Sequence, residues 1–200
     1  MSTLGIRPTE DKVKKALFDI LRPVVPGSRF LDLYAGSGAV GIEALSEGAI
    51  EAYFVDTDTA NTKIIETNLN SLKTDAKAYK ILNTDADKAI SMLKEHKEMF
   101  DLIFLDPPYY KGEFPRRGSA SAVSGASGSA TTEISGSLSK KTLQTLGAYD
   151  ILTRNGFIIV QYHRRENLLE EVGQLKLWRT NEYSTTKLSF YCKTTNTCIE

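Results

Sequence analysis

Asp106, Pro107, Pro108 and Tyr109 stand together where the apolar run Leu102–Leu105 ends. Two prolines close a core strand, because proline cannot donate to a central ladder. An acid before them and an aromatic ring after them suit a more particular chemistry. The exocyclic amine of a nucleobase is a poor nucleophile, since its lone pair is delocalised into the ring. Accepting a hydrogen bond from each of its N–H groups biases that nitrogen toward tetrahedral geometry and exposes the lone pair. Asp106 offers a carboxylate for this. Pro107 offers a backbone carbonyl whose direction two rigid rings fix. Tyr109 offers a face on which a base can stack, worth roughly 1–3 kcal/mol. The four residues read as a device that presents a planar NH₂ group to an electrophile.

A second group lies earlier in the chain. Gly36, Gly38 and Gly41 form G-x-G-x-x-G within "DLYAGSGAVG". Such a turn lets a ligand approach the backbone, although a tight strand-to-helix turn needs the same glycines. Asp56 ends the next apolar segment, 20 residues after Gly36, where an acid can hold two ribose hydroxyls. Asp32 precedes the turn and can accept from an ammonium group, whereas a pyrophosphate beside it would be repelled. Dinucleotides and S-adenosylmethionine share the glycine turn and Asp56; Asp32 favours the second. Asp85 follows the third apolar segment. It can accept from an adenine amino group, and it can equally cap the next helix; the two roles are compatible.

Positioning these residues takes alternating elements. Apolar positions at helical spacing predict a helix over Thr9–Leu21, with Thr9 as N-cap. Strands are expected at Arg29–Tyr34, 51–58, 76–82, 100–106 and 156–163, and helices at 39–47, 59–73, 85–96 and 140–151. Segments 175–180 and 185–193 can pair as an antiparallel end. Strict alternation implies a Rossmann-like α/β fold, a doubly wound and mostly parallel sheet with an antiparallel C-terminal strand.

The whole chain reads as a single domain, residues 1–200, interrupted by a flexible insertion at about 116–138. Between Gly118 and Ser137, 17 of 20 residues are Gly, Ser, Ala or Thr, too few apolar groups to order themselves. Alternation resumes on both sides, so the stretch is an insertion and not a boundary. Lysine and arginine total 25, as do aspartate and glutamate, which argues against a protein that simply coats nucleic acid. No run approaches the ~18 apolar residues of a membrane helix, and the N-terminus lacks a signal-peptide apolar core. The two cysteines, Cys192 and Cys198, do not make a disulfide framework; they suggest free thiols in the cytoplasm. No metal site is expected, and His96 and His163 belong to no constellation.

At this point the chain resembles class I S-adenosylmethionine-dependent methyltransferases acting on exocyclic amines. More closely it resembles the RsmD-type family, the bacterial 16S ribosomal RNA guanine-N2 methyltransferases. The segments that carry the resemblance are "RPTEDKVKKALFDIL" at Arg7–Leu21, "FLDLYAGSGAVGIEALSEGA" at Phe30–Ala49, "FVDTD", "DPPY" and "TTKLSFY". Arg-Pro-Thr is the most family-specific of them. The resemblance implies that Asp32, Gly36, Gly38, Asp56 and Asp85 hold S-adenosylmethionine, although the family commonly has Glu at the position of Asp56. It implies that Asp106, Pro107 and Tyr109 form the base-amine site. RNA is the implied partner, as 16S ribosomal RNA or a small-subunit assembly particle. Two departures touch the RNA-facing side: the family's basic N-terminal hairpin has no counterpart ahead of Arg7, and the Gly/Ser/Ala stretch lies where relatives are compact.

Basic residues gather in the same region. Lys111, Arg116, Arg117, Lys140 and Lys141 follow the fourth strand, and Arg164 and Arg165 follow the fifth. Ligands of open α/β sheets sit beyond the carboxyl ends of the strands, so these charges and Arg7 suit phosphate steering. An adenine-N6 or cytosine-N4 methyltransferase would use the same four residues at 106–109. A non-catalytic RNA- or partner-binding module could keep the fold, but retention of Asp106 and both cofactor acids speaks against it. An NAD-dependent oxidoreductase leaves Asp106–Tyr109 without a role.

Overall fold

A computed structural model describes residues 8–108 and 137–195. Helix α1 spans Pro8–Leu21. Proline at the first helical position lacks only an N–H that would have no intrahelical partner, so the helix starts one residue earlier than the sequence suggests. Thr9 therefore lies within the first turn and is not the N-cap. The alternation then runs β1 Arg29–Asp32, α2 Ala39–Ser46, β2 Glu51–Asp56, α3 Thr59–Ser71, β3 Tyr79–Asn83, α4 Ala86–Glu95 and β4 Phe100–Leu105. After the undescribed stretch come α5 Leu138–Ala148, β5 Leu152–His163, β6 Glu171–Val172, β7 Leu175–Tyr183 and β8 Thr186–Lys193.

All eight strands form one sheet in the order β3-β2-β1-β4-β5-β8-β7-β6. The first five are parallel, and β5–β8, β8–β7 and β7–β6 pair antiparallel. The antiparallel end is thus a three-stranded extension. Residues 76–78, expected to open β3, form a 3₁₀ turn capped by Asp75. The fourth parallel crossover carries α5 from Leu138 to Ala148, two residues earlier at its start than the helical pattern indicates.

The sheet divides two apolar layers. Leu31, Tyr53, Ile103 and Ile158 pack with Ala89, Ile90 and Leu93 of α4 and Leu143 and Leu146 of α5. On the other face Phe30, Phe54, Phe104 and Ile159 pack with Leu17 and Phe18 of α1, Ala44 of α2 and Ile65 and Leu69 of α3. Side chains alternate across strands. Continuing that alternation, Asp32 follows Phe30, Asp56 follows Phe54, Asp106 follows Phe104 and Gln161 follows Ile159. Asp32 and Asp56 thus close β1 and β2, Asp106 comes directly after β4, and Gln161 sits two residues before the end of β5, four polar residues near the carboxyl ends of four neighbouring strands.

Cys192 is fully buried in β8 and disulfide-bonded, which corrects the expectation of free thiols. A count of two excludes a framework but says nothing about a single bridge. No helix among the described residues is long and apolar enough to cross a membrane.

Candidate active site

Order reverses at β1, whose neighbours are β2 and β4, and this switch point opens a crevice at the carboxyl ends of the strands. There lies a cleft of about 620 Å³ bordered by Gly36, Asp56, Asp85, Asp106, Pro108 and Lys141, among others. Tyr34, Asn61, Asp58 and Asp87 also line it.

The glycine turn forms its floor for steric reasons. Gly38 caps α2 with φ 78°, a left-handed conformation that other residues adopt only with strain. A Cβ on Gly41 would sit 2.3 Å from the ring of Phe54, so only glycine lets α2 lie this close to β2. Gly36 donates its N–H to Asp56 Oδ2 at 2.8 Å. Asp56 also accepts from Asn61 Nδ2 at 3.2 Å and, through Oδ1, from the Asp58 N–H at 2.8 Å. The acid that sequence spacing assigns to a ribose thus first of all ties the end of β2 to the glycine turn.

Asp32 is 1% exposed and lies behind the cleft wall. Its Oδ1 is buried without a hydrogen-bond partner. Burial pushes its carboxyl up to about 7, and the charge of Asp106 pushes in the same direction; the Gly41 and Tyr34 amides act against this, and Asp56 adds a smaller upward push. An orphaned buried oxygen among like charges is costly unless a cation completes it.

Asp85 caps α4, accepting from the Lys88 N–H at 2.9 Å and pairing with Lys88 Nζ at 3.1 Å. These contacts, the backbone bond foremost, hold its carboxyl below the usual carboxylate range. It still borders the cleft, so capping and lining coexist.

Asp106 stands at the cleft edge immediately after β4. Its Oδ2 accepts from Gln161 Nε2 at 2.9 Å. The parallel register Leu105↔Val160 sets these two side chains next to each other. Pro107 is buried and Pro108 borders the cleft.

Tyr109, Arg7, Lys111, Arg116 and Arg117 lie outside the described residues. Of the other basic residues, Lys141 is engaged by Asp87 at 2.7 Å. Arg164 is exposed and donates to the Ser184 carbonyl at 3.3 Å, and Arg165 is also exposed, at the same end of β5.

Sequence reasoning misses three contributors. Gln161 carries a signal, as the one amide in the otherwise apolar and aromatic run Phe157–Tyr162. Tyr34 borders the cleft and shares a 2.6 Å hydrogen bond with Thr142 of α5. Asn61 steadies Asp56 from the first turn of α3, a position with no distinguishing signal.

These residues fit S-adenosylmethionine. Its ribose suits Asp56, and its positive charge suits a cleft bordered by Asp56, Asp58, Asp85, Asp87 and Asp106. The buried Asp32 is not part of that border and can favour the ammonium only through its charge.

The strand order, the glycine turn and the acids at the strand ends define a class I methyltransferase fold. Solved structures agree: yhhF from Escherichia coli has a TM-score of 0.71 at 24% identity, covering 97% of this chain and 92% of that one. The 16S rRNA N2 methyltransferase RsmC of Thermus thermophilus, in complex with AdoMet and guanosine, has a TM-score of 0.66 at 23% identity, over 96% of this chain and 45% of that one. The family described as conserved hypothetical protein 95 matches residues 1–122. YlbH of Bacillus subtilis is 33% identical over 187 residues, 94% of this chain and 88% of its own length. Ribosomal RNA small subunit methyltransferase D of Escherichia coli K12 is 38% identical over 108 residues, 54% of this chain and 52% of that protein. The chain belongs to this family, the RsmD-type methyltransferases.

Proposed function

We propose that the protein transfers a methyl group from S-adenosylmethionine to the exocyclic amine of an RNA base, guanine N2 of small-subunit ribosomal RNA, free or within an assembly particle. The observation that carries this reading is Asp106 at the edge of the acidic cleft, its carboxylate set by Gln161 beside the buried Asp32. The name and similarity of the Escherichia coli relative support the ribosomal target. An RNA substrate in turn supports action in the cytoplasm.

When bound, S-adenosylmethionine supplies a methyl carbon on a sulfonium, an electrophile that needs no further activation. Asp56 would hold the ribose and Asp85 the adenine side, Gly36 and Gly38 would leave the backbone approachable, and the buried Asp32 would favour the ammonium through its charge. Asp106 and the Pro107 carbonyl accept from the two amine N–H groups and turn the nitrogen lone pair toward the methyl group. Tyr109 stacks on the base. Asp106 would stabilise the positive charge that develops on the attacking nitrogen, and its carboxylate would accept the amine proton. A strong base is unnecessary, since the amine becomes acidic only as it is alkylated.

Arg7, Lys111, Arg116, Arg117, Arg164 and Arg165 steer the phosphate backbone in this reading. Residues 1–200 act as one methyltransferase domain, and the stretch at about 116–138 is an insertion into it. The test is mass spectrometry of nucleosides from small ribosomal subunits incubated with the protein and labelled S-adenosylmethionine. Label in N2-methylguanosine is expected. Label in N6-methyladenosine or N4-methylcytidine moves the assignment to those amines, and cofactor binding without label in any nucleoside sinks the enzymatic reading.

A further inference from the structure

We infer that Gln161 is a positioning residue for methyl transfer, acting through Asp106; the inference rests on the proposed amine-presenting role of that aspartate. Near the carboxyl ends of four neighbouring strands stand Asp56, Asp32, Asp106 and Gln161, three acids and one amide: Asp56 and Asp32 close β2 and β1, Asp106 follows β4, and Gln161 lies two residues before the end of β5. β5 is otherwise apolar from Phe157 to Val160, and the residues beside Gln161 in register are Leu188 and, one position back, the Leu105↔Val160 pair. A glutamine there is not explained by packing. Its Nε2 donates to Asp106 Oδ2 at 2.9 Å, from a partly buried position.

The chemistry calls for such a donor. A carboxylate that must meet one particular N–H has to be fixed about its Cβ–Cγ bond. It must also stay charged although it acts electrostatically on buried Asp32. An amide N–H answers both needs: it fixes one oxygen and favours the anion without adding a cation that would repel a developing ammonium. A carboxyl group at position 161 could do this only while protonated. Once ionised it would repel Asp106.

That difference supplies the test. Single-turnover methyl transfer is measured on small ribosomal subunits from cells lacking this protein, between about pH 5.5 and 9, for the parent, Gln161→Glu, Gln161→Leu and Asp106→Ala. Gln161→Glu should approach the parent rate at the acidic end and fall away as pH rises, a limb the parent lacks. Gln161→Leu should lose about 10- to 100-fold at every pH, the scale of a misplaced reacting group. Calorimetric affinity for S-adenosylmethionine should stay unchanged in both, which also verifies that each variant is folded. A Gln161→Glu profile parallel to the parent, or Gln161→Leu within twofold of it, overturns the inference. If Asp106→Ala itself keeps its rate, the amine-presenting reading fails and this inference fails with it. If Asp106→Ala is inactive while Gln161 is indifferent, only the role of Gln161 is lost.

Discussion

The two ends of the same parallel strands are built on opposite electrostatic plans. At the amino ends, Arg29 of β1 donates to Glu51 at 2.9 Å, to Glu98 at 2.6 Å and to the Met99 carbonyl at 2.8 Å. Tyr53 donates to Glu98 at 3.0 Å, and Lys80 contacts both Tyr53 and Glu98. Arg29 also lies 5.2 Å from the centre of the Phe100 ring. Its hydrogen bond is the main influence holding the Glu98 carboxyl below the usual carboxylate range. At the carboxyl ends, Asp32 and Asp56 form no ion pair among the described residues, and Asp32 is buried with an oxygen unpartnered. One end is closed by its own counter-charges. The other pairs Asp85 with Lys88 and Asp87 with Lys141 but keeps a buried acid, Asp32, with one oxygen unpartnered among the described residues. Charges satisfied internally hold strands together; charges left incomplete select a cationic ligand, at some expense in stability of the empty protein.

The comparison breaks most sharply at Asp106. Asp106→Ala should slow single-turnover methyl transfer by roughly 10²–10³-fold, as for the loss of one positioned electrostatic group, with calorimetric cofactor affinity preserved. A rate within a few-fold of the parent would mean that the carboxyl end does not work as described. At the opposite end, Arg29→Ala leaves Glu51 and Glu98 without their central cation. Chemical denaturation should show a loss of about 2–3 kcal/mol, the range for charged hydrogen bonds, with the methyl-transfer rate unchanged in the folded fraction. A large rate effect there would erase the division of labour between the ends.

Asp56 straddles the two plans, because it holds Gly36 as well as facing the cleft. Asp56→Ala should weaken S-adenosylmethionine by about 30-fold in calorimetry, on the scale of one or two charged hydrogen bonds, with a small drop in Tm. Unchanged affinity would leave it only the structural role.

Asp32 gives the smallest and most diagnostic effect. Its folded carboxyl is raised to about 7, so the folded state favours the protonated form. That contribution to the empty protein is complete below the unfolded carboxylate range near ~3.9 and is lost as pH rises through about 7. A bound ammonium requires the charged form, so cofactor affinity should fall about tenfold from pH 8 to 6. Asp32→Asn should flatten that dependence and should stabilise the empty protein more at pH 8 than at pH 4. An affinity independent of pH in the parent would show that the Asp32 charge does not act on the ligand's cation.

Much of this architecture is legible in the residues themselves. Strand and helix periods imply the doubly wound order, since Leu102–Leu105 and Phe157–Val160 are apolar on both faces, as strands covered by helices on both sides must be. Gly36, Gly38 and Gly41 announce a strand-to-helix turn, and Asp-Pro-Pro-Tyr carries the amine site proposed above. The departures fall where local pattern is weakest. Residues 76–78 read as strand although Asp75 caps a 3₁₀ turn there. Pro8 moves the start of α1, and β7 runs on to Tyr183 because its partner β8 continues that far.

What the sequence determined by itself was the set of groups able to do chemistry and the order in which elements deliver them, because both depend on residue type and on periods of two and 3.6. What only the tertiary structure decided was adjacency. Parallel pairing of β4 with β5 set Gln161 against Asp106 across 55 residues of chain, and Asp56 closed onto Gly36 across 20. Packing on both faces of the sheet drove Asp32 out of water and raised its carboxyl toward neutrality. Hydrogen bonds and desolvation act over a few ångströms of space, and no spacing along a chain encodes them.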